Sequence, residues 1–364
     1  MAALCALVGR PWAGCSGTPN SFTPSDAQHE DSPQKTTGDK PMKPVHRLLA
    51  VGLALAAAAS HADTWPSKPL TFVVLTAPAG STDIMARLVA DPLQRALGQP
   101  VVVDNKPGAS GNIGTEFVAR AAPDGYTLLL QYSGYHVGNP SLYPNLRWSP
   151  TKDFVPVPVA MVMRAPHVVA VSGKLPVTSM KELIEYGRKK EGGLFYASSG
   201  NGSIQHIAGE LLSRQTKQPA THVPYKGSGP AINDLVAGNV DIFTTTPPSV
   251  IGHFAGGRIK ALAYTGSKRH ASMPNVPTSA EAGLPGYEVE SWFAVFAPAK
   301  TPPEVVNKLS AEIKKIVESE AFRKKVDEQG AFATYMDPAT LGRFVDQELA
   351  AWSKVIKGAD IKPE

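Results

Sequence analysis

Beyond residue 69 the chain alternates short apolar runs with longer stretches in which apolar residues return every three or four positions. Phe72–Thr76, Val101–Asp104 and Thr127–Gln131 are short, rich in β-branched residues and bounded by Gly or Pro, which predicts strands. Between the first two, Met85, Leu88, Val89, Pro92, Leu93 and Leu97 share one helical face. Pro92 poses a choice: it kinks this helix, or Asp91 caps a new turn with Pro92 at its first position. A second short helix is expected over Gly114–Ala122. The order β-α-β-α-β implies parallel strands joined by crossover helices.

The alternation recurs downstream. Strands are expected at Val168–Val171, Leu194–Ala197, His222–Val223, Val240–Thr244 and within "GRIKALAYTGS". Helices are expected at Ser179–Lys190, at Ser203–Gln215 with apolar Ile204, Ile207, Ala208, Leu211 and Leu212, and at Pro230–Ala237, which Gly238 ends. Three more follow at Pro303–Glu318, Glu320–Gln329 and Pro338–Lys357, and Trp292 and Phe293 are expected to pack in a strand or hinge. The result is two α/β halves, an arrangement that binds ligands in a crevice at the carboxyl ends of its strands.

The first sixty residues break this pattern. Residues 11–45 are polar and aperiodic, which predicts disorder and no folded domain. "MKPVHRLLAVGLALAAAASHA", Met42–Ala62, has a basic start, an apolar run from Leu48 to Ala59 and small residues at its end. This is the anatomy of an export signal cleaved after Ala62, and the run is too short for a membrane span. Residues 1–41 then read as an extension upstream of a start at Met42. Both cysteines, Cys5 and Cys15, fall in that extension, so the exported chain has no disulfide or thiolate chemistry. The expected location is the periplasm.

Composition narrows the function. The chain is 43% hydrophobic and 18% charged, with a formal charge of +5. Its Lys and Arg are scattered, which argues against a nucleic-acid partner. His136, His167 and His222 have no metal-ligand spacing, and no nucleotide or metalloprotease motif occurs, so neither a metal nor a cofactor is expected. Two strand-to-helix loops do carry chemistry. "TAPAGSTD", Thr76–Asp83, places Ala79 and Gly80 where a backbone must approach a ligand, ahead of N–H groups that a helix start leaves free for an anion. Ser81, Thr82 or Asp83 is the expected helix cap, and a charged Asp83 at the mouth would repel a phosphate. "SSGNGS", Ser198–Ser203, repeats the design, with His206 one turn into the next helix. Loops of this kind, one per half and facing one cleft, form a two-sided anion clamp. The enzymatic alternative uses Ser199 or Ser203 as nucleophile with His206 as base, but the sequence offers no third group to orient that base.

From Trp65 to Ile361 the chain resembles the Bug extracytoplasmic solute receptors of tripartite tricarboxylate transporters. The resemblance rests on the order and spacing of "WPSKPLTFVV", "APAGSTD", "LGQPVVVDNKPGASGNIGTEFVARAAPDGYTLLL", "YASSGNGSIQHIAGELL", "HVPYKGSGPAINDLVAGNVDI", "ALAYTGSKRHASMPNVPTSAEAGLPGYE" and "SWFAVFAPAKTPPEVVNKL". It implies a monomeric two-lobed periplasmic binding protein of the Venus-flytrap type, each lobe a mostly parallel sheet flanked by helices. Lobe one would hold residues 63–163 plus 288–364, and lobe two residues 164–287. It also implies a small carboxylate gripped by Pro78, Ala79, Gly80, Ser81, Thr82 and Asp83 on one side. On the other stand Ser198, Ser199, Gly200, Gly202, Ser203 and His206, and lobe closure would be read by membrane permease subunits. Tyr132 and Ser133, with Tyr135, would line the cleft after a lobe-one strand, extending the ligand range to aromatic or longer dicarboxylates. Two departures stand out. Ala79 replaces a usual Gly, and Thr244 and Thr245 stand where many relatives have Phe-Asp, which favours a plain carboxylate over an amino acid. A sensory protein presenting the same closed form to a receptor kinase is the alternative of another class.

Overall fold

The computed structural model describes residues 65–154 and 160–358. The extension, the export signal and its cleavage after Ala62 lie outside the described residues. Strand β1 (Leu70–Val74) leads through a buried turn to α1 (Ser81–Leu97), which ends at Gly98, φ +68°, with the Gly98 N–H on the Gln94 carbonyl. The strand therefore starts and stops two residues before the expected Phe72–Thr76. Helix α1 runs unbroken through Pro92, so Asp91 caps no new turn. The ring costs only the bond that an N–H at position 92 would have given the Leu88 carbonyl. Next come β2 (Val101–Asn105), α2 (Asn112–Ala119) and β3 (Thr127–Tyr132), which passes into a π-helical turn, Gly134–Gly138, and α3 (Asn139–Leu142).

Strand β4 (Ala160–Pro166) is followed after one residue by β5 (Val168–Ser172). Then α4 (Met180–Lys189), β6 (Leu194–Ser198), α5 (Ile204–Thr216), β7 (Ala220–Pro224), α6 (Ser228–Ala237), β8 (Ile242–Thr245) and β9 (Ile259–Tyr264) complete a second α/β half. The chain returns through β10 (Glu290–Phe296), α7 (Pro303–Glu318), α8 (Glu320–Glu328), β11 (Phe332–Met336) and α9 (Pro338–Gly358).

The strands form two sheets, ordered β11-β4-β10-β3-β1-β2 and β7-β6-β8-β5-β9. Both are mixed. The parallel pairs expected from the crossover pattern are present at β1–β2, β1–β3, β6–β7 and β6–β8. The strands that carry the chain between sheets add antiparallel pairs: β10 with β3 and β4, β11 with β4, and β5 with β8 and β9. Each half has buried apolar packing at its centre, for example Phe72, Val74, Leu128 and Leu130 in the first and Val168, Ala170, Ala197 and Phe243 in the second. Trp292 and Phe293 lie buried in β10.

The two crossings are tied side by side. The His167 N–H donates to the Val289 carbonyl at 3.1 Å and lies 2.7 Å from Thr265 Oγ1. Its Nε2 is 2.7 Å from Ser291 Oγ, and burial pulls the imidazole down to about 3, so it stays neutral.

Candidate functional site

The β1–α1 loop exposes Pro78 and Ala79 and buries Gly80, Ser81, Thr82 and Asp83. Ala79 sits at φ +65°, in the left-handed region where a glycine would be at ease. Its N–H donates to Asp83 Oδ2 at 3.1 Å. The same carboxylate accepts from Arg87 Nε and Nη2 at 3.1 and 3.0 Å and from Asn105 Nδ2 at 3.1 Å. Burial alone would raise the Asp83 pKa, but hydrogen bonds from Arg87, the Ala79 N–H and Asn105, with the Arg87 charge, hold it below the usual carboxylate range. Asp83 therefore fastens the loop and is neutralised by Arg87. The expectation that its charge faces an incoming anion is corrected. Gly80, not Ser81, Thr82 or Asp83, stands at the cap position of α1, and no side chain caps it; the first i→i−4 bond runs from the Ile84 N–H to the Gly80 carbonyl at 3.0 Å, so the N–H groups of Ser81, Thr82 and Asp83 precede it.

In the β6–α5 loop, Gly200 and Gly202 take φ +130° and +76°. A Cβ on Gly202 would sit 2.0 Å from Leu142 Cδ1, so a larger residue there would be strained by the left-handed backbone and would have to displace Leu142. Ser203 Oγ accepts the His206 N–H at 3.2 Å and caps α5, while His206 Nδ1 accepts the Gly202 N–H at 3.1 Å. The Tyr132 hydroxyl reaches over from the end of β3. It accepts the Ile204 N–H at 3.2 Å and donates to Gln205 Oε1 at 2.7 Å. Burial raises this phenol well above its usual range, so a neutral hydroxyl sits on the start of α5. Ser199 Oγ shares Gln205 Oε1 at 3.0 Å, and the Tyr135 hydroxyl, pushed by burial to about 12, donates to the Ser199 carbonyl at 2.7 Å. Ser198 Oγ lies 2.7 Å from His222 Nε2. The His222 ring stacks on His206 at 3.9 Å, and burial, helped by His206, pulls its pKa to about 3.

Two expected residues are engaged by neighbours within their own surroundings. Ser133 Oγ accepts the Trp292 N–H at 3.1 Å and holds β10 against β3. Thr245 Oγ1 lies 3.2 Å from Ser249 Oγ, and it is Thr246 that crosses, its Oγ1 2.5 Å from Ser81 Oγ. The Ser203–His206 bond uses a backbone N–H. At the side-chain pair of Ser198 and His222, no carboxylate bonds the His222 ring among the described residues.

Each of the two loops meets a second segment, from the other half of the chain. The β1–α1 loop abuts the start of α6: a Cβ on Gly227 would lie 3.2 Å from Ala77 N, and one on Gly229 would lie 2.8 Å from the Pro78 carbonyl oxygen. The β6–α5 loop meets the turn Gly108–Gly111, where Ser110 Oγ donates to the Asn201 carbonyl at 2.9 Å. In that turn Ala109 and Ser110 are both left-handed, at φ +45° and +50°. Between Leu75, the turn Gly108–Gly111, the β6–α5 loop and the residues after β7 lies a cavity of about 200 Å³, lined also by Tyr135, Tyr225 and Lys226; of the expected site residues, Ser199 and Gly200 line it and Pro78–Asp83 do not. Lys226 is its cation. The signals for these residues were the glycine clusters in "KPGASG" and "YKGSGP", which follow strands and open helices as the two chosen loops do.

The model of the tripartite tricarboxylate transporter family receptor matches residues 85–361. The chain belongs to that receptor family. The receptor is 39% identical to Protein BugT of Bordetella pertussis over 324 residues, 87% of this chain and 99% of that one. Among solved structures, R. palustris Rpa4515 with adipate is 39% identical, with a TM-score of 0.79 over 82% of this chain and all of the other. MatC (Rpa3494) from Rhodopseudomonas palustris, with bound malate, is 34% identical with a TM-score of 0.74 over 80% and 100%. The receptor thus has the two-lobed α/β architecture of a solute-binding protein.

Proposed function

We propose that the receptor captures a small carboxylate, preferably a dicarboxylate, between lobes 63–163 plus 288–364 and 164–287. It acts in the periplasm after export by the 42–62 signal, as a monomer without cofactor. The closed form is delivered to the membrane permease subunits of a tripartite tricarboxylate transporter. The observation that carries this reading is the cavity of about 200 Å³ walled by loops of both sheets, with Lys226 at its edge. The adipate and malate held by relatives agree with it.

The energetics are adequate. A helix start contributes roughly 0.3–1 kcal/mol toward an anion, and each hydrogen bond to a charged acceptor about 1.5–3 kcal/mol. A few such bonds together with Lys226 reach the roughly 8 kcal/mol of micromolar binding. Closure adds the bonds of Tyr132, Tyr135, Ser110 and Ser81 across the cleft. Titration calorimetry with adipate, malate and matched monocarboxylates tests this. Lys226→Met should weaken dicarboxylates about tenfold and monocarboxylates less. No loss for either class would remove Lys226 from the site.

A further inference from the structure

A second cavity, of about 700 Å³, lies across the crossing strands from the cleft. Strand order fixes its place. In the first sheet β4 and β10 separate β3, β1 and β2, whose following loops line the cleft, from β11; in the second, β5 separates β6, β7 and β8 from β9. The cavity is built on the β11 and β9 side, from the ends of β4 and β9, the loop after β9, the entry to β10, and Asp327 and Phe332.

Two buried donors line it without a hydrogen bond. Tyr264 is 1% exposed and its hydroxyl makes no hydrogen bond. His270 is 3% exposed, and its Nδ1 accepts the Ser272 N–H at 3.2 Å, which puts the ring proton on Nε2. That Nε2 makes no hydrogen bond and stands 3.6 Å from Asp327 Oδ1. An unpaired buried donor is destabilising, and an acceptor-bearing ligand relieves it. Arg164, Lys268 and Arg269 are balanced by Glu288, Glu290 and Asp327. Arg164 is bonded to Glu290, and Arg269 to Glu281 at 2.8 Å. With the wall charges balanced, the two donors suffice for one carboxylate and leave a second without a partner. The exposed ring of Phe332, with Pro166, offers apolar surface.

We propose that this cavity is a second binding site, for a small organic monocarboxylate whose oxygens accept from Tyr264 Oη and His270 Nε2 and whose apolar body lies on Phe332. Its place beyond the pivot gives it a second role. Closing the cleft moves the cavity walls apart, so an occupant that bridges the separated walls favours the closed form, and each ligand tightens the other by the same factor. This coupling, but not the site, rests on the reading of the cleft as a closing carboxylate site.

The test is a ¹⁹F NMR titration with 4-fluorobenzoate on the wild-type chain, Tyr264→Phe, His270→Gln and Lys226→Met. Tyr264→Phe removes a hydroxyl that makes no bond, so the fold should persist, which circular dichroism checks. Binding should weaken at least fivefold in Tyr264→Phe and His270→Gln, persist in Lys226→Met, and resist competition by sulfate. Absence of binding, binding unchanged in the first two variants, or binding lost only in Lys226→Met overturns the site. Saturating 4-fluorobenzoate should raise adipate affinity at least threefold in the wild type and not in Tyr264→Phe; no rise overturns the coupling. If adipate and malate both fail to bind while a Tyr264-dependent signal persists, the cleft reading fails and this site stands.

Discussion

The methyl group of Ala79 stands where the backbone turns left-handed, at φ +65°, on an exposed loop crest. Ala79→Gly relieves the clash of Cβ with the backbone but loosens the unfolded chain, for a net gain of about 0.5–1 kcal/mol. Urea unfolding should show it, and a loss would mean that the methyl makes contacts worth more than the strain. Asp83 is the second test at this scale. Its folded pKa is depressed, so its contribution to stability is complete above the unfolded value near 3.8 and is lost as pH falls through the lower folded value. Asp83→Asn should destabilise the protein at pH 7 and reduce its loss of stability below pH 4, read as melting temperature against pH. Unchanged melting curves would contradict the pairing with Arg87. Some of these roles were legible in the sequence: Ser203 was expected at the helix start, and it is the cap. The pairing of Asp83 with Arg87 was present in their i,i+4 spacing but hidden, because an acid beside a binding loop reads equally well as a mouth residue.

At the scale of elements, the cleft is bridged by side chains leaving the end of β3. Tyr132 connects that strand to the first turn of α5, serving both an N–H and Gln205. Tyr132→Phe should weaken carboxylate binding two- to tenfold, about 0.5–1.5 kcal/mol, with a faster off-rate measurable by stopped flow. An unaltered off-rate would show that closure does not depend on this bond. The helices and parallel strands were readable because their periodicity is local. Helix α7 occupies its expected range, Pro303–Glu318. Strands β4 and β11 were not foreseen. They pair antiparallel with partners more than a hundred residues away and with each other across 168 to 175 positions, and β11 is short and half-exposed. The π-helical turn at Gly134–Gly138 left no periodic trace either. It points Tyr135 at Ser199 and sends Ser133 back to β10.

Across the whole molecule, the bridges between halves come from loops at strand ends, and the crossings lie behind them. Export, permease delivery and lobe boundaries belong to the proposal. The architecture itself was legible from the order of elements, whereas the second wall of each strand-to-helix loop was not, since it forms only when the halves meet. Burial holds His136 and His167 near pKa 3, against an ordinary value of about 6.5. A depressed histidine stabilises the fold above its unfolded pKa and loses that contribution as pH falls toward the folded one. At pH 5 each such group should cost about 2 kcal/mol relative to pH 7. His136→Leu should flatten the fall in urea midpoint between pH 7 and 5; an equally steep fall would place the acid sensitivity elsewhere. The central claim is that a small carboxylate is held between the halves. A thermal-shift titration of the purified receptor with mono-, di- and tricarboxylates tests it most directly. At 100 times its dissociation constant the true ligand should stabilise the fold by about 2.7 kcal/mol, and Lys226→Met should shrink that shift at equal concentration. If no carboxylate moves the melting point, the account is contradicted.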